Sequence, residues 1–183
     1  RSLARAACAR TVANHLLRRM IPKELVLPEG VLLLNQNDPV VSGALSLGAY
    51  EVFFTNEFRA QLRESMTVVD IGANLGYYTL IASAHVERVI AFEPESENAA
   101  LLLRTLERNE RKNVTLVQKG LGEKEETLTL TIHPDNKGKH TLLPIDEKGV
   151  TSTAIPVTTL DAALETLGTP RVDLLKMDIG TVV

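Results

Sequence analysis

The feature that most constrains this chain is a β-branched run, a glycine turn and a helical pattern in immediate succession. Val68, Val69 and Ile71 make the run, Asp70-Ile71-Gly72-Ala73-Asn74-Leu75-Gly76 the turn, and Tyr77 to His85 the helix. A strand that feeds straight into a helix belongs to folds that wind around a parallel sheet. The pattern then recurs. Arg88 to Phe92 reads as a second buried strand ended by Glu93-Pro94. Ala99, Leu102, Leu103 and Leu106 follow at helical spacing, with Glu95 and Glu97 in the first turn at the positive end of the helix dipole. Val114 to Val117 is a third strand and Val172 to Met177 a fourth. Alternation at this spacing implies right-handed crossovers and an α/β fold.

The segments around this core have other textures. Leu25 to Leu27 and Val31 to Leu34 flank Pro28-Glu29-Gly30 and predict a hairpin or two short strands. Asn35 to Pro39 is a loop, and Phe54, Phe58, Leu62 and Met66 at steps of four predict a helix face over Tyr50 to Met66 with its aromatics in the core. Thr alternates strictly with Leu or Ile from Thr127 to Ile132, as in a strand wet on one face. That stretch and Ser152 to Val157 are expected to form an inserted antiparallel pair, with Pro156 confining its strand to an edge. Asp135 to Gly138 is the loop between them. Thr158 and Asp161 have the spacing of a capping box before Leu160, Leu164 and Leu167, with Gly168 and Pro170 past the helix end.

Composition removes several classes of function. A single cysteine, Cys8, makes neither a disulfide nor a CxxC site, and a reducing, cytoplasmic setting is the default expectation. At 183 residues the chain can bury a core without staples. No apolar run approaches the roughly 18 residues of a membrane span. Residues 1–23 hold six basic side chains and no acid, which leaves 14 basic and 23 acidic side chains in the remaining 160. An acidic body argues against a nucleic-acid groove. The basic start, with Leu3, Ala6, Ala13, Leu16, Leu17, Met20 and Ile21 at helical spacing, predicts an amphipathic helix over 3–21 that ends before Pro22. A helix packed on the domain, a targeting segment and a membrane-surface helix all fit it. The expected organisation is an extension over 1–49 and a main domain over 50–183.

Open parallel sheets bind ligands at the carboxyl ends of their strands. Those ends carry Asp70, Gly72, Asn74 and Gly76 after the first strand, Glu93 after the second, Lys119, Gly120 and Leu121 after the third, and Asp178 after the fourth. Gly72 and Gly76 let the backbone turn sharply, and Asn74 tolerates left-handed backbone. Glu93 stands 21 positions beyond Gly72, the separation that sets a strand-end acid beside the first turn, where it can accept both hydroxyls of a ribose. A nucleoside site is the expectation. The turn is Gly-x-x-x-Gly rather than GxGxxG, and Gly43 and Gly48 are followed by Ala49-Tyr50 rather than by the lysine of a phosphate loop. Asp70 suits a ligand with a cationic end, and S-adenosylmethionine has an ammonium, a sulfonium and a ribose. A nicotinamide-dependent oxidoreductase uses the same architecture and remains the rival, as does a non-catalytic remnant that binds cofactor alone. The histidines 15, 85, 133 and 140 have no metal spacing, and no GxSxG elbow occurs.

Residues 68–79 (VVDIGANLGYYT), 91–94 (AFEP), 113–116 (NVTL) and 174–178 (LLKMD) resemble, in order and spacing, the FkbM family of S-adenosylmethionine-dependent methyltransferases. The likeness runs from about Tyr50 to Asp178. It implies a Rossmann-like sheet in the order 3-2-1-4 and O-methylation of a hydroxyl on a small molecule, glycan or natural product. It also implies a cofactor site built from Asp70, Gly72, Ala73, Asn74, Gly76, Tyr78, Thr79, Glu93, Pro94, Gly120 and Leu121. The loop residues would hold the methionine part, Glu93 the ribose, and Gly120-Leu121 would wall the adenine. Asp178 is the candidate base, or a ligand for substrate or metal, or simply a cap on the next turn; Lys176 would face the same side and pair with it. After the fourth strand the family's pattern is similar to Asp-x-Glu-Gly-x-Glu, whereas here Asp178 is followed by Ile-Gly-Thr-Val-Val. The expectation is therefore a domain truncated after its fourth strand, with an open sheet edge that promotes self-association.

Overall fold

The computed structural model describes residues 19–132 and 151–178. Nine strands and five helices lie within them. β1 (Glu24–Leu27) and β2 (Gly30–Leu33) form the expected antiparallel hairpin. Two helices, α1 (Val41–Ser46) and α2 (Val52–Gln61), lead to β3 (Thr67–Ile71). Then come α3 (Tyr77–Ser83), β4 (Arg88–Phe92), α4 (Ser96–Arg108) and β5 (Val114–Val117). β6 (Gly120–Leu121), β7 (Glu126–Ile132), β8 (Thr151–Thr158), α5 (Leu160–Thr166) and β9 (Leu174–Met177) complete the order.

The main sheet is parallel throughout, in the order β5-β4-β3-β9. That is the 3-2-1-4 arrangement expected from the sequence. Val68, Val69, Val89, Ile90 and Ala91 are fully buried because helices cover both faces, which is why these strands read as unbroken apolar runs. On one face α3 and α4 bring Leu80, Ile81 and Leu102, and on the other Ala163 and Leu167 of the α5 segment pack on Val69, Ile71, Ile90 and Phe92. Full burial of one such leucine stabilises the fold by about 1.5–3 kcal/mol. β9 pairs only with β3 among the described residues, and its Leu175 and Met177 are exposed rather than interior.

The hairpin is fastened to the sheet domain by α4. Asn109, just past that helix, accepts from the Val31 N–H and donates to the Val31 carbonyl, both at 2.7 Å. Ile21, Leu32, Leu34, Val41 and Leu45 then share one core with Leu75 and Leu80. Arg59 of α2 binds Glu29 of the hairpin turn in a bidentate pair at 2.6 and 2.9 Å.

Several local expectations shift. The helix expected over 50–66 ends at Gln61, and its buried stripe runs through Thr55, Phe58 and Leu62, so Phe53 and Phe54 are exposed. A polar member of the stripe hid its register. α1 was not expected; Asp38 initiates it by accepting from the N–H groups of Val41 and Ser42 at 3.2 Å. Leu103 of α4 is also half exposed, and Glu95 is the N-cap itself, its carboxylate accepting from the N–H groups of Glu97 and Asn98. The α5 cap is Thr159 rather than Thr158. The antiparallel pair β7 and β8 is present, and Pro156 lies where β8 pairs with β7 alone, since β6 joins β8 only from Val157 onward. The helix expected over 3–21 falls outside the described residues except for its last turn, as do the loop at 135–138 and residues beyond Asp178.

Candidate functional site

The carboxyl ends of β3 and β4 are joined by their own backbone. The N–H groups of Gly72 and Ala73 both donate to the Phe92 carbonyl at 3.0 Å, which pins the turn after β3 against the tip of β4. Gly72, Asn74 and Gly76 all have positive φ, at 73°, 54° and 93°. Gly76 cannot be otherwise, since a Cβ there would collide with the Leu102 side chain. It starts α3. Asn74 stabilises its own left-handed turn by accepting from the Leu75 N–H at 2.8 Å.

Glu93 closes the turn from the other side. One carboxylate oxygen accepts from the Asn74 N–H at 2.7 Å and the other from the Glu95 N–H at 2.9 Å. The residue is 5% exposed. Burial pushes its carboxyl up to about 7, against the lowering effect of those backbone hydrogen bonds. Among the described residues no cation pairs with it. The Asn98 side chain also bonds to it. A carboxylate has about four acceptor positions, so capacity remains for a ligand hydroxyl.

Asp70, at the same level of β3, has the opposite environment. It is wholly buried, and one oxygen accepts from the Thr79 hydroxyl at 2.6 Å. The other pairs with Lys176 at 3.1 Å. Lys176 occupies the register position beside Asp70 on β9, and its ammonium also donates to the Gly72 carbonyl at 3.3 Å and lies 4.9 Å from the centre of the Tyr78 ring. Strand spacing predicts that Lys176 pairs with Asp178; its partner is Asp70. A half-buried cation thus ties the loop carbonyl to the strand acid.

The remaining expected residues divide. Tyr78 points into the domain and donates to Glu51 at 2.7 Å; burial and then Glu51 raise its hydroxyl far above the usual range. Ala73 is core, against Ala91, Leu102 and Leu106. Pro94 lies half-buried between Glu93 and Glu95. Gly120 and Leu121 stand apart in β6, where Leu121 packs on the β3 and β4 face that α5 covers. Asp178 is exposed at the tip of β9, its N–H held by the Ile71 carbonyl at 3.0 Å.

Residues that the sequence did not single out complete the neighbourhood. Tyr50 stacks edge-on to Tyr77 at 5.6 Å, and burial, followed by the charges of Glu51 and Asp178, raises its hydroxyl well above the usual range. Glu51, which holds Tyr78, has left-handed backbone at φ 41°. No sequence signal marks Glu51, whereas Lys176 was reachable: strand order 3-2-1-4 already sets the fourth strand beside the first.

A family model matches the region that carries this geometry. Residues 70–179, well over half of the chain, match the family described as Methyltransferase FkbM domain. The chain is 32% identical over 82 residues to Methyltransferase 1 of Beauveria bassiana, a match covering 44% of this chain and 33% of that protein. The matched region is thus about a third of the length of that relative. Among solved structures, SMU.1697c of Streptococcus mutans, a putative methyltransferase in complex with SAH, is 24% identical with a TM-score of 0.36 over 38% of this chain and 40% of that one. The precorrin 8W decarboxylase of Methanobacterium thermoautotrophicum is 30% identical with a TM-score of 0.35, over 38% of each chain. With its loop, strand order and matched residues taken together, the chain belongs to the FkbM methyltransferase domain family.

Proposed function

We propose that the chain binds S-adenosylmethionine across the carboxyl ends of β3 and β4 and transfers a methyl group to a hydroxyl on a small molecule, glycan or natural product. The observation that carries this is Glu93, a buried acid without a cation, aimed at a left-handed loop and with acceptor capacity to spare. Family membership supports methyl transfer over nicotinamide chemistry. When bound, S-adenosylmethionine supplies a methyl carbon on a positive sulfur, so that the acceptor oxygen gains the methyl, the C–S electron pair returns to sulfur and the hydroxyl proton leaves.

The protein's part is to hold and orient. Glu93 accepts the two ribose hydroxyls, and the turn from Gly72 to Gly76 takes the methionine end. Ala73, Tyr78, Thr79 and Pro94 shape that turn, while Gly120 and Leu121 face the base. Asp70 acts through Lys176 and Thr79 by fixing the loop, since its own oxygens are engaged. Asp178, exposed beside the end of β3, takes the acceptor's proton. Orientation of this kind accounts for several kcal/mol of a displacement barrier. Equilibrium dialysis of the chain against S-adenosylmethionine and NAD tests the reading. Saturable binding of the first alone is expected; binding of NAD alone would overturn it.

A further inference from the structure

Beside the loop lies a groove of about 530 Å³ between the hairpin and helices α1 and α2. Leu25, Leu27 and Leu45 line it, with Tyr50 and Tyr77 among its other walls. Three more lining residues, Val26, Leu47 and Val52, are 79%, 77% and 54% exposed, so the lip of the groove is apolar and open to water. An apolar surface left in this state marks a place where something binds.

Its electrostatics narrow the occupant. Among the described residues the lining contains one charged side chain, Arg59, whose Nε and Nη2 both bond to Glu29, so that its charge is paired. The groove offers no net charge to an anion. Ser46, Thr55 and Asn56 add only neutral polar groups. The volume lies in the range of small-ligand pockets, roughly 300–1,000 Å³. A protein helix, about 10–12 Å across with its side chains, is a poor match for it.

The groove shares one residue, Tyr77, with the helix that follows the cofactor loop. Tyr77 directly follows Gly76, and its hydroxyl accepts from Thr55 at 3.3 Å, so the same ring belongs to the first turn of α3 and to the groove wall. Tyr50 packs on it and faces the charges of Glu51 and Asp178. We infer that this groove is the acceptor site and that its occupant is a neutral small molecule with an apolar body and an alcohol, the alcohol lying at the Tyr50 and Tyr77 end. The inference rests on the methyl-transfer reading above and adds the acceptor's chemical class to it.

The chain has no tryptophan, and its three tyrosines, Tyr50, Tyr77 and Tyr78, are all at this junction, so intrinsic fluorescence reports on it directly. The probe is monomeric octyl glucoside, an uncharged alkyl chain with an alcohol head, compared with sucrose and octyl sulfate. Saturable change in tyrosine emission is expected with octyl glucoside and not with the other two. Val26→Asp and Leu47→Asp, both at exposed positions, should weaken it by about tenfold or more through lost apolar contact. Circular dichroism and the calorimetric affinity for S-adenosylhomocysteine should stay as in the unaltered chain. No saturable octyl glucoside signal, a signal that both substitutions leave intact, or equal binding of octyl sulfate or sucrose would overturn the inference while leaving the cofactor reading standing. Octyl glucoside binding in a chain that takes no S-adenosylhomocysteine would overturn the acceptor role together with that reading.

Discussion

Two acids stand at neighbouring strand ends of one sheet, and their surroundings differ in kind. Asp70 on β3 has a half-buried ammonium and a hydroxyl for partners, whereas Glu93 just after β4 has only uncharged donors, two backbone N–H groups and the Asn98 side chain. A buried charge is tolerated when paired, and otherwise the group takes up its proton. Asp70 is therefore charge-paired within the protein, although its Oδ1 has the ion pair and no hydrogen bond, and Glu93, with its carboxyl pushed up to about 7, is the acid that the proposed function leaves for a ligand. The comparison separates the acid that builds the loop from the acid that uses it.

The largest effect should come from breaking the charge-paired end. Lys176→Ala leaves Asp70 buried and unpaired, and should lower unfolding free energy by about 3–5 kcal/mol in chemical denaturation. Adding Asp70→Leu to that variant should recover much of the loss, because the uncompensated charge goes with it. An unchanged denaturation midpoint for Lys176→Ala would erase the distinction between the two ends. Thr79→Val removes the second partner of Asp70 and should cost about 1.5–3 kcal/mol by the same measurement, the value of a hydrogen bond to a charged group.

Glu93 sharpens the comparison through pH. Its folded value lies above its ordinary one, so the stability linked to this group is fully present below about 4.5 and is lost as pH rises through about 7. Cofactor binding should run the other way, since raising pH through the same window ionises the carboxylate that accepts the hydroxyls. Thermal unfolding and calorimetry, followed across that window, should therefore show opposite slopes. Parallel slopes would mean that Glu93 is not the group that meets the ligand.

Where burial on two faces or strict alternation dictated the pattern, the structure was legible in advance. The apolar runs Val68-Val69 of β3 and Val89 to Phe92 of β4 are buried because helices cover both sides, and β7 alternates because one of its faces is wet. The positive φ of Gly72, Asn74 and Gly76 was also legible, because few residue types tolerate that backbone. Contacts that depend on how segments pack were not. Phe54 fitted a four-residue step yet faces solvent, because the inner stripe of α2 runs through Thr55. The hold of Glu51 on Tyr78 spans 27 positions with no local sign, and the groove beside Tyr77 depends on the packing of the hairpin against α2 and α4, through Arg59 and Asn109. The site's backbone could be read from composition and spacing; its walls required the packing.

The most direct test is calorimetric titration of S-adenosylhomocysteine into the full chain about one unit below and one unit above the Glu93 value of about 7, with and without Glu93→Ala. The unaltered chain should bind more tightly at the higher pH, by up to about tenfold. Glu93→Ala should bind about 1–3 kcal/mol more weakly there and lose the pH dependence. Equal affinity in the two chains, or a pH dependence that survives the substitution, would contradict the assignment of Glu93 as the ligand's anchor.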